Sequence, residues 1–127
     1  MQTNKNILIG SAAIIVVLVA VLAFNVFGGK TAPGQYNEFA ECLTEKGAKM
    51  YGAFWCPHCA DQKESFGESW SKVNYIECSS PDGKSQLPSC AEANIKGYPT
   101  WEFADGSRME GFIPLQDLSQ KTGCALN

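Results

Sequence analysis

Cys56-Pro57-His58-Cys59 is the run in this sequence whose residue types and spacing carry chemistry. A thiolate attacks disulfide sulfur, and two cysteines separated by two residues fall on one helical turn, where they can bridge each other or pass the bridge to a second thiol. Pro57 suits a first helical position, where no backbone N–H is required. The free N–H groups at a helix N-terminus favour an ionised sulfur, so Cys56 is expected to attack and Cys59 to resolve the mixed disulfide. His58, the only histidine, is expected to set a donor or positive charge beside the Cys56 thiolate, stabilising the dithiol and making the disulfide more oxidising. The bland alternative is an exposed imidazole with no electronic effect. A purely structural bridge is the alternative for the pair itself. Zinc would need two further ligands, and no second Cys-x-x-Cys or Cys-x-x-His is present, so no metal is expected. No cofactor is expected either: there is no Gly-rich phosphate loop, and His58 lies inside the cysteine pair rather than after it as in a haem attachment motif.

Such a pair works only if a strand and a helix hold it. Residues 48–55 (AKMYGAFW) are short, aromatic-rich and bounded by Gly47 and the cysteines, which predicts a buried strand. From Pro57 to about Trp70 the pattern turns helical, with Phe66 and Trp70 four apart. Before the strand, apolar residues recur at helical spacing over 36–46, and Gly47 stands where that helix must stop. After the motif come a second strand over 73–78, a polar loop over 79–88 and a short helix near 89–94. Strand-like runs at 99–103 and 108–112 flank Ala104-Asp105-Gly106-Ser107, a hairpin signal, and a helix over 115–121 precedes Gly123. The order α-β-α-β-α-β-β-α implies a small mixed sheet flanked by helices, an α/β domain. Trp70, Trp101, Phe54 and Phe103 are assigned to its core.

The chain has 127 residues and a formal charge of -3, which offers no basic surface to steer it onto nucleic acid. Residues 7–27 contain no charge over 21 positions, long enough as a helix to cross a hydrocarbon core of about 30 Å. Lys5 and the amino terminus precede this stretch and Lys30 follows it, a balance that weakly favours a cytoplasmic N-terminus. The organisation expected is an N-terminal membrane anchor in 1–27, a linker in 28–35 and a folded domain in 36–127 outside the cytoplasm, on a single-pass protein of the cytoplasmic membrane. A cleaved signal peptide, with Val21-Leu22-Ala23 at the cleavage site, is the competing reading. Six cysteines, all in the folding part, suit an oxidising compartment.

The run Gly47-Ala48-Lys49-Met50-Tyr51-Gly52-Ala53-Phe54-Trp55-Cys56-Pro57-His58-Cys59, with Gln62-Lys63-Glu64 and Phe66-Gly67 behind it, resembles the thioredoxin-like domains fused to bacterial and plant vitamin K epoxide reductase homologues. Tyr75-Ile76-Glu77-Cys78, Cys90 and Lys96-Gly97-Tyr98-Pro99-Thr100-Trp101-Glu102 continue the likeness, which covers nearly all of 36–124. The resemblance implies a thioredoxin-like fold, thiol-disulfide oxidoreductase activity, and Pro99 as a cis-proline that faces the active cysteines and helps hold substrate backbone. Without it, Pro99 reads only as a proline at a turn or strand start. One apolar segment cannot house the family's quinone-reducing membrane bundle, so a separate membrane protein of that kind is the redox partner expected. Met50 stands six residues before Cys56, where thioredoxins proper carry a buried aspartate, and this argues mildly against a thioredoxin-type reductase.

Four cysteines remain, and spacing alone allows three pairings. In the resembling domains the cysteines matching Cys78 and Cys90 form a second pair, read here as structural, with a redox relay or free thiols as alternatives. Cys42 and Cys124 then tie the two ends of the domain, or stay separate as buried thiols. Trp55 and Tyr98 adjoin motif residues and are candidates, with Pro99, for an apolar platform under substrate chains. The function expected is a disulfide donor to exported proteins. A reductase or isomerase of the same compartment, and a non-catalytic membrane-tethered binding module, are the rivals.

Overall fold

The computed structural model describes residues 15–19 and 34–127. The chain divides into two units, 1–31 and 32–127. In the first, residues 15–19 are helical, and Ile15, Val16, Val17, Leu18 and Val19 are all more than half exposed. The rest of the expected anchor, and linker residues 28–33, lie outside the described residues; among those described, no helix is long and apolar enough to cross a membrane.

The second unit runs α1 (Asn37–Glu45), β1 (Lys49–Gly52), α2 (Pro57–Phe66), a 3₁₀ helix (Gly67–Lys72), β2 (Tyr75–Glu77), α3 (Pro88–Glu92), β3 (Thr100–Glu102), β4 (Arg108–Glu110) and α4 (Leu115–Thr122). The four strands form one sheet in the order β2-β1-β3-β4. β1 pairs parallel with β2, opposing Met50 to Tyr75, and antiparallel with β3, opposing Met50 to Trp101. A β-α-β crossover followed by an antiparallel hairpin, with the third strand reversed against the first, is the thioredoxin-like arrangement. The mixed α/β fold expected from the sequence is therefore present.

The elements are shorter than their sequence patterns, for local reasons. β1 stops at Gly52 because the chain turns over 53–55, where the Cys56 N–H donates to the Ala53 carbonyl at 3.0 Å. This turn carries Phe54 out of the core: it is 56% exposed, which corrects its assignment there. α2 ends at Phe66 rather than running to Trp70, because Gly67 takes φ 57° and ψ -136°, a conformation glycine tolerates and a side chain resists. The helix tightens there to 3₁₀ geometry, and Trp70 is only half-buried.

Alternation along β1 sends Met50 to one face of the sheet and Tyr51 to the other. Met50 joins the larger core, with Leu43, Phe66, Trp101 and Leu118, while Tyr51 joins a smaller cluster with Cys78, Cys90 and Ile95. Disulfides pin both faces: Cys42 to Cys124 joins α1 to the chain beyond α4 across 82 residues, and Cys78 to Cys90 joins the end of β2 to α3 across 12.

A polar residue fixes α2 within this apolar packing. Gln62 is fully buried; its Oε1 accepts from the Ile113 N–H at 2.8 Å and from Trp101 Nε1 at 3.3 Å, and its Nε2 donates to the Ile113 carbonyl at 2.9 Å. It lies with Cys59 and Phe66 on the inward face of the helix. Gln62→Leu should strand three buried polar groups and cost about 3 kcal/mol, read as a lower urea midpoint at unchanged m-value. A loss below about 0.5 kcal/mol, the scatter of surface substitutions, would show that the clamp carries little.

Candidate active site

β1 delivers the chain to a tight turn, and α2 opens at once, so the cysteine pair lands on the first turn of that helix. Cys56 is the N-cap residue, in extended conformation, and Pro57 takes the first helical position. Cys56 Sγ accepts the Cys59 N–H at 3.3 Å, so a free helix-end donor is aimed at the sulfur. Among the described residues, Cys56 and Cys59 are the two unbridged cysteines. Cys59 lies deeper, at 1% exposure against 6% for Cys56. Burial pushes the Cys59 thiol up to about 12, and its hydrogen bond with Cys56 acts in the same direction; the Ala53 backbone and the Lys63 charge pull weakly the other way. Cys59 is thus held as a thiol.

The segment before β3 closes the site from the other side. The Tyr98–Pro99 peptide bond is cis, and Cys56 Sγ donates to the Tyr98 carbonyl at 3.6 Å. The Pro99 carbonyl is held by the Gly111 N–H at 2.8 Å. The Tyr98 hydroxyl accepts from Gln86 Nε2 at 2.8 Å, and its ring meets the edge of Trp55 at a centroid distance of 6.0 Å. Trp55 is 53% exposed, anchored through Nε1 to Ser79 Oγ at 2.8 Å. Cys56, Cys59, Trp55, Tyr98 and Pro99 therefore come together, with an exposed aromatic lip beside Cys56.

His58 does not join them as expected. Its Nδ1 lies 3.5 Å from Asp61 Oδ2, one turn along α2, and both side chains are mostly exposed. The Cys78–Cys90 and Cys42–Cys124 bridges engage neither Cys56 nor Cys59; Cys78, Cys90 and Cys124 are buried and Cys42 partly so.

Two residues that the sequence did not single out for the site stand beside Cys59. Gly52 passes so close that a side chain there would sit 3.1 Å from Cys59 Sγ and 3.2 Å from the Tyr75 hydroxyl. Tyr75 donates to Glu77 Oε2 at 2.7 Å. Alternation could have flagged the pair, because residues 75 and 77 of one strand share a face.

Fold and site together define a thioredoxin-like domain that carries a Cys-x-x-Cys pair at a helix N-terminus. The chain is similar to thiol-disulfide oxidoreductase LTO1 of Arabidopsis thaliana, with 47% identity over 93 residues, covering 69% of this chain and 24% of that protein. It thus spans about a quarter of the length of that curated relative. No protein-family model matches. Thioredoxin O2 from Arabidopsis thaliana, in a crystal structure of its oxidised state, is similar with a TM-score of 0.38 and 14% identity, over 75% of this chain and 91% of that one.

Proposed function

We propose that this chain is a protein thiol-disulfide oxidoreductase in which the Cys56–Cys59 bridge is donated to exported proteins. The observation that carries the reading is the unbridged pair at the start of α2, with the Cys59 N–H on Cys56 Sγ and the cis Tyr98–Pro99 bond opposite. The similarity to a thiol-disulfide oxidoreductase supports it.

In the donating direction a substrate thiolate attacks Cys56 Sγ of the oxidised pair. The Cys56–Cys59 bond breaks, and its electron pair leaves on Cys59. A second substrate thiolate then attacks the substrate sulfur of the mixed disulfide, which forms the substrate bridge and expels Cys56 as a thiolate. The helix N-terminus and the Cys59 N–H stabilise that thiolate, which favours the reduced pair and makes its disulfide a better donor. Pro99 and Tyr98 hold the substrate backbone, and the Trp55 ring covers apolar side chains.

The cellular setting is part of the proposal. Residues 7–27 hold the protein in the cytoplasmic membrane as a single span, with the domain outside the cytoplasm. Their uncharged, mostly apolar run supports this, as do the exposed apolar side chains of 15–19 and two disulfides in the domain. A quinone-reducing membrane protein of the vitamin K epoxide reductase type reoxidises the pair.

Equilibration with glutathione buffers, read by alkylation of Cys56, tests the direction of flow. A reduction potential above about -150 mV is expected for a donor; one below about -230 mV would identify a reductase instead.

A further inference from the structure

The resolving cysteine poses a problem of its own. Cys59 is almost fully buried and must lose a proton before it can attack, and burial holds that proton tightly. The titratable groups around it come from two elements. α2 and its N-cap contribute Cys56 and Lys63, and β2 contributes Tyr75 and Glu77; β1 and the turn after it offer only Gly52, the Ala53 backbone and the apolar Met50.

Resting on the oxidoreductase reading, we propose that Tyr75 and Glu77 form the proton relay of Cys59, the missing side chain of Gly52 letting the phenol ring pack in beside the sulfur. The Cys59 sulfur and the Tyr75 oxygen both border the point a Gly52 side chain would fill, at 3.1 and 3.2 Å. The Tyr75 hydroxyl donates to Glu77 Oε2 at 2.7 Å. The carboxylate cannot swing freely, because its Oε1 accepts the Phe54 N–H at 3.2 Å and the Ser79 N–H at 2.9 Å. Those donors fix Oε2 toward the phenol. Lys63 Nζ sits 4.1 Å from the Tyr75 ring centroid, where its charge favours a developing Cys59 thiolate. Burial and the Glu77 hydrogen bond push the Tyr75 phenol upward, so it serves as a conduit and the carboxylate as the acceptor.

When a mixed disulfide on Cys56 is resolved, the Cys59 thiol proton passes to the Tyr75 oxygen as the tyrosine's own proton passes to Glu77. The Cys59 thiolate attacks Cys56 Sγ and the Cys56–Cys59 bond forms. The bond from Cys56 to the substrate sulfur breaks, and its electron pair leaves as a substrate thiolate. In the donating direction the steps reverse, and Cys59 regains its proton along the same path as it is expelled.

The test mixes the reduced full chain with a chromogenic nitrobenzoate disulfide under stopped flow. Cys56 attack releases one coloured thiolate, and resolution by Cys59 releases a second. Glu77→Gln keeps an acceptor oxygen for the two backbone donors, and Tyr75→Phe removes only a hydroxyl. Both variants should keep the first phase. Their second phase should slow on the order of 100-fold near about pH 7, and the deficit should shrink as hydroxide takes over toward about pH 10. A second phase unchanged in either variant, or slowed equally at every pH as a packing defect would do, overturns the relay. Absence of the first phase in the unaltered protein would count against the oxidoreductase reading itself, and the relay would fall with it.

Discussion

Replacing Cys56 by serine should reduce thiol-disulfide exchange by this domain to the uncatalysed background, a loss on the order of 1,000-fold or more. The expectation follows from geometry. Cys56 is the outer sulfur of the pair, capping α2 and reaching the Tyr98 carbonyl, whereas Cys59 is shut beneath it. A serine hydroxyl at the same N-cap would keep the helix intact, because serine is itself a favoured capping residue, so the loss would report chemistry rather than folding. Cys59→Ser should behave differently: Cys56 still attacks, nothing resolves the product, and mixed disulfides with substrate accumulate. Non-reducing electrophoresis and mass mapping check both results. If Cys56→Ser retained full biological activity, the domain would instead be a binding module.

The second large effect concerns stability. Opening the Cys42–Cys124 bridge by replacing both cysteines with serine should cost about 4.5 kcal/mol on chain-entropy grounds, because the closed loop spans 82 residues. Opening Cys78–Cys90, with its loop of 12, should cost about 3 kcal/mol. Domains of this size have roughly 5–15 kcal/mol in total, so the longer bridge is a large share of the margin. α1 and the segment beyond α4 lie at opposite ends of the domain's sequence, and Leu43 and Leu118 from the two helices share the larger core. Losing the tether should therefore loosen the core around α2 as well. Urea unfolding of the two double variants measures this; a smaller loss for the long loop than for the short one would contradict it.

The parts of the site that depend on neighbours in sequence were readable from the residues. A strand-like run ending in Cys-Pro-x-Cys fixes a junction, Pro57 fixes the helix start, and Asp105-Gly106 fixes the hairpin, since each acts within a few residues. Contacts made across the fold were not readable. Gln62 finds its partners 39 and 51 residues away, and nothing in the helical pattern distinguishes an inward glutamine from a solvated one. The partnership of Tyr75 with Cys59 depends on the parallel pairing of β2 with β1, which brings Tyr75 opposite Met50. Phe54 reads as core by composition, yet the turn after Gly52 puts it outside; His58 reads as a neighbour of Cys56, yet the first turn of α2 gives it Asp61. In both cases residue type was a poorer guide than the direction in which the backbone aims the side chain.

Equilibrating the full chain across a series of glutathione redox buffers, quenching with alkylating agent and mapping all six cysteines by mass is the most direct measurement. Cys56 and Cys59 should interconvert between dithiol and mutual disulfide as a single two-electron couple, while Cys42–Cys124 and Cys78–Cys90 stay bridged throughout. A Cys56–Cys59 pair that never bridges, or a titration carried by one of the other two pairs, would contradict the assignment of the active site.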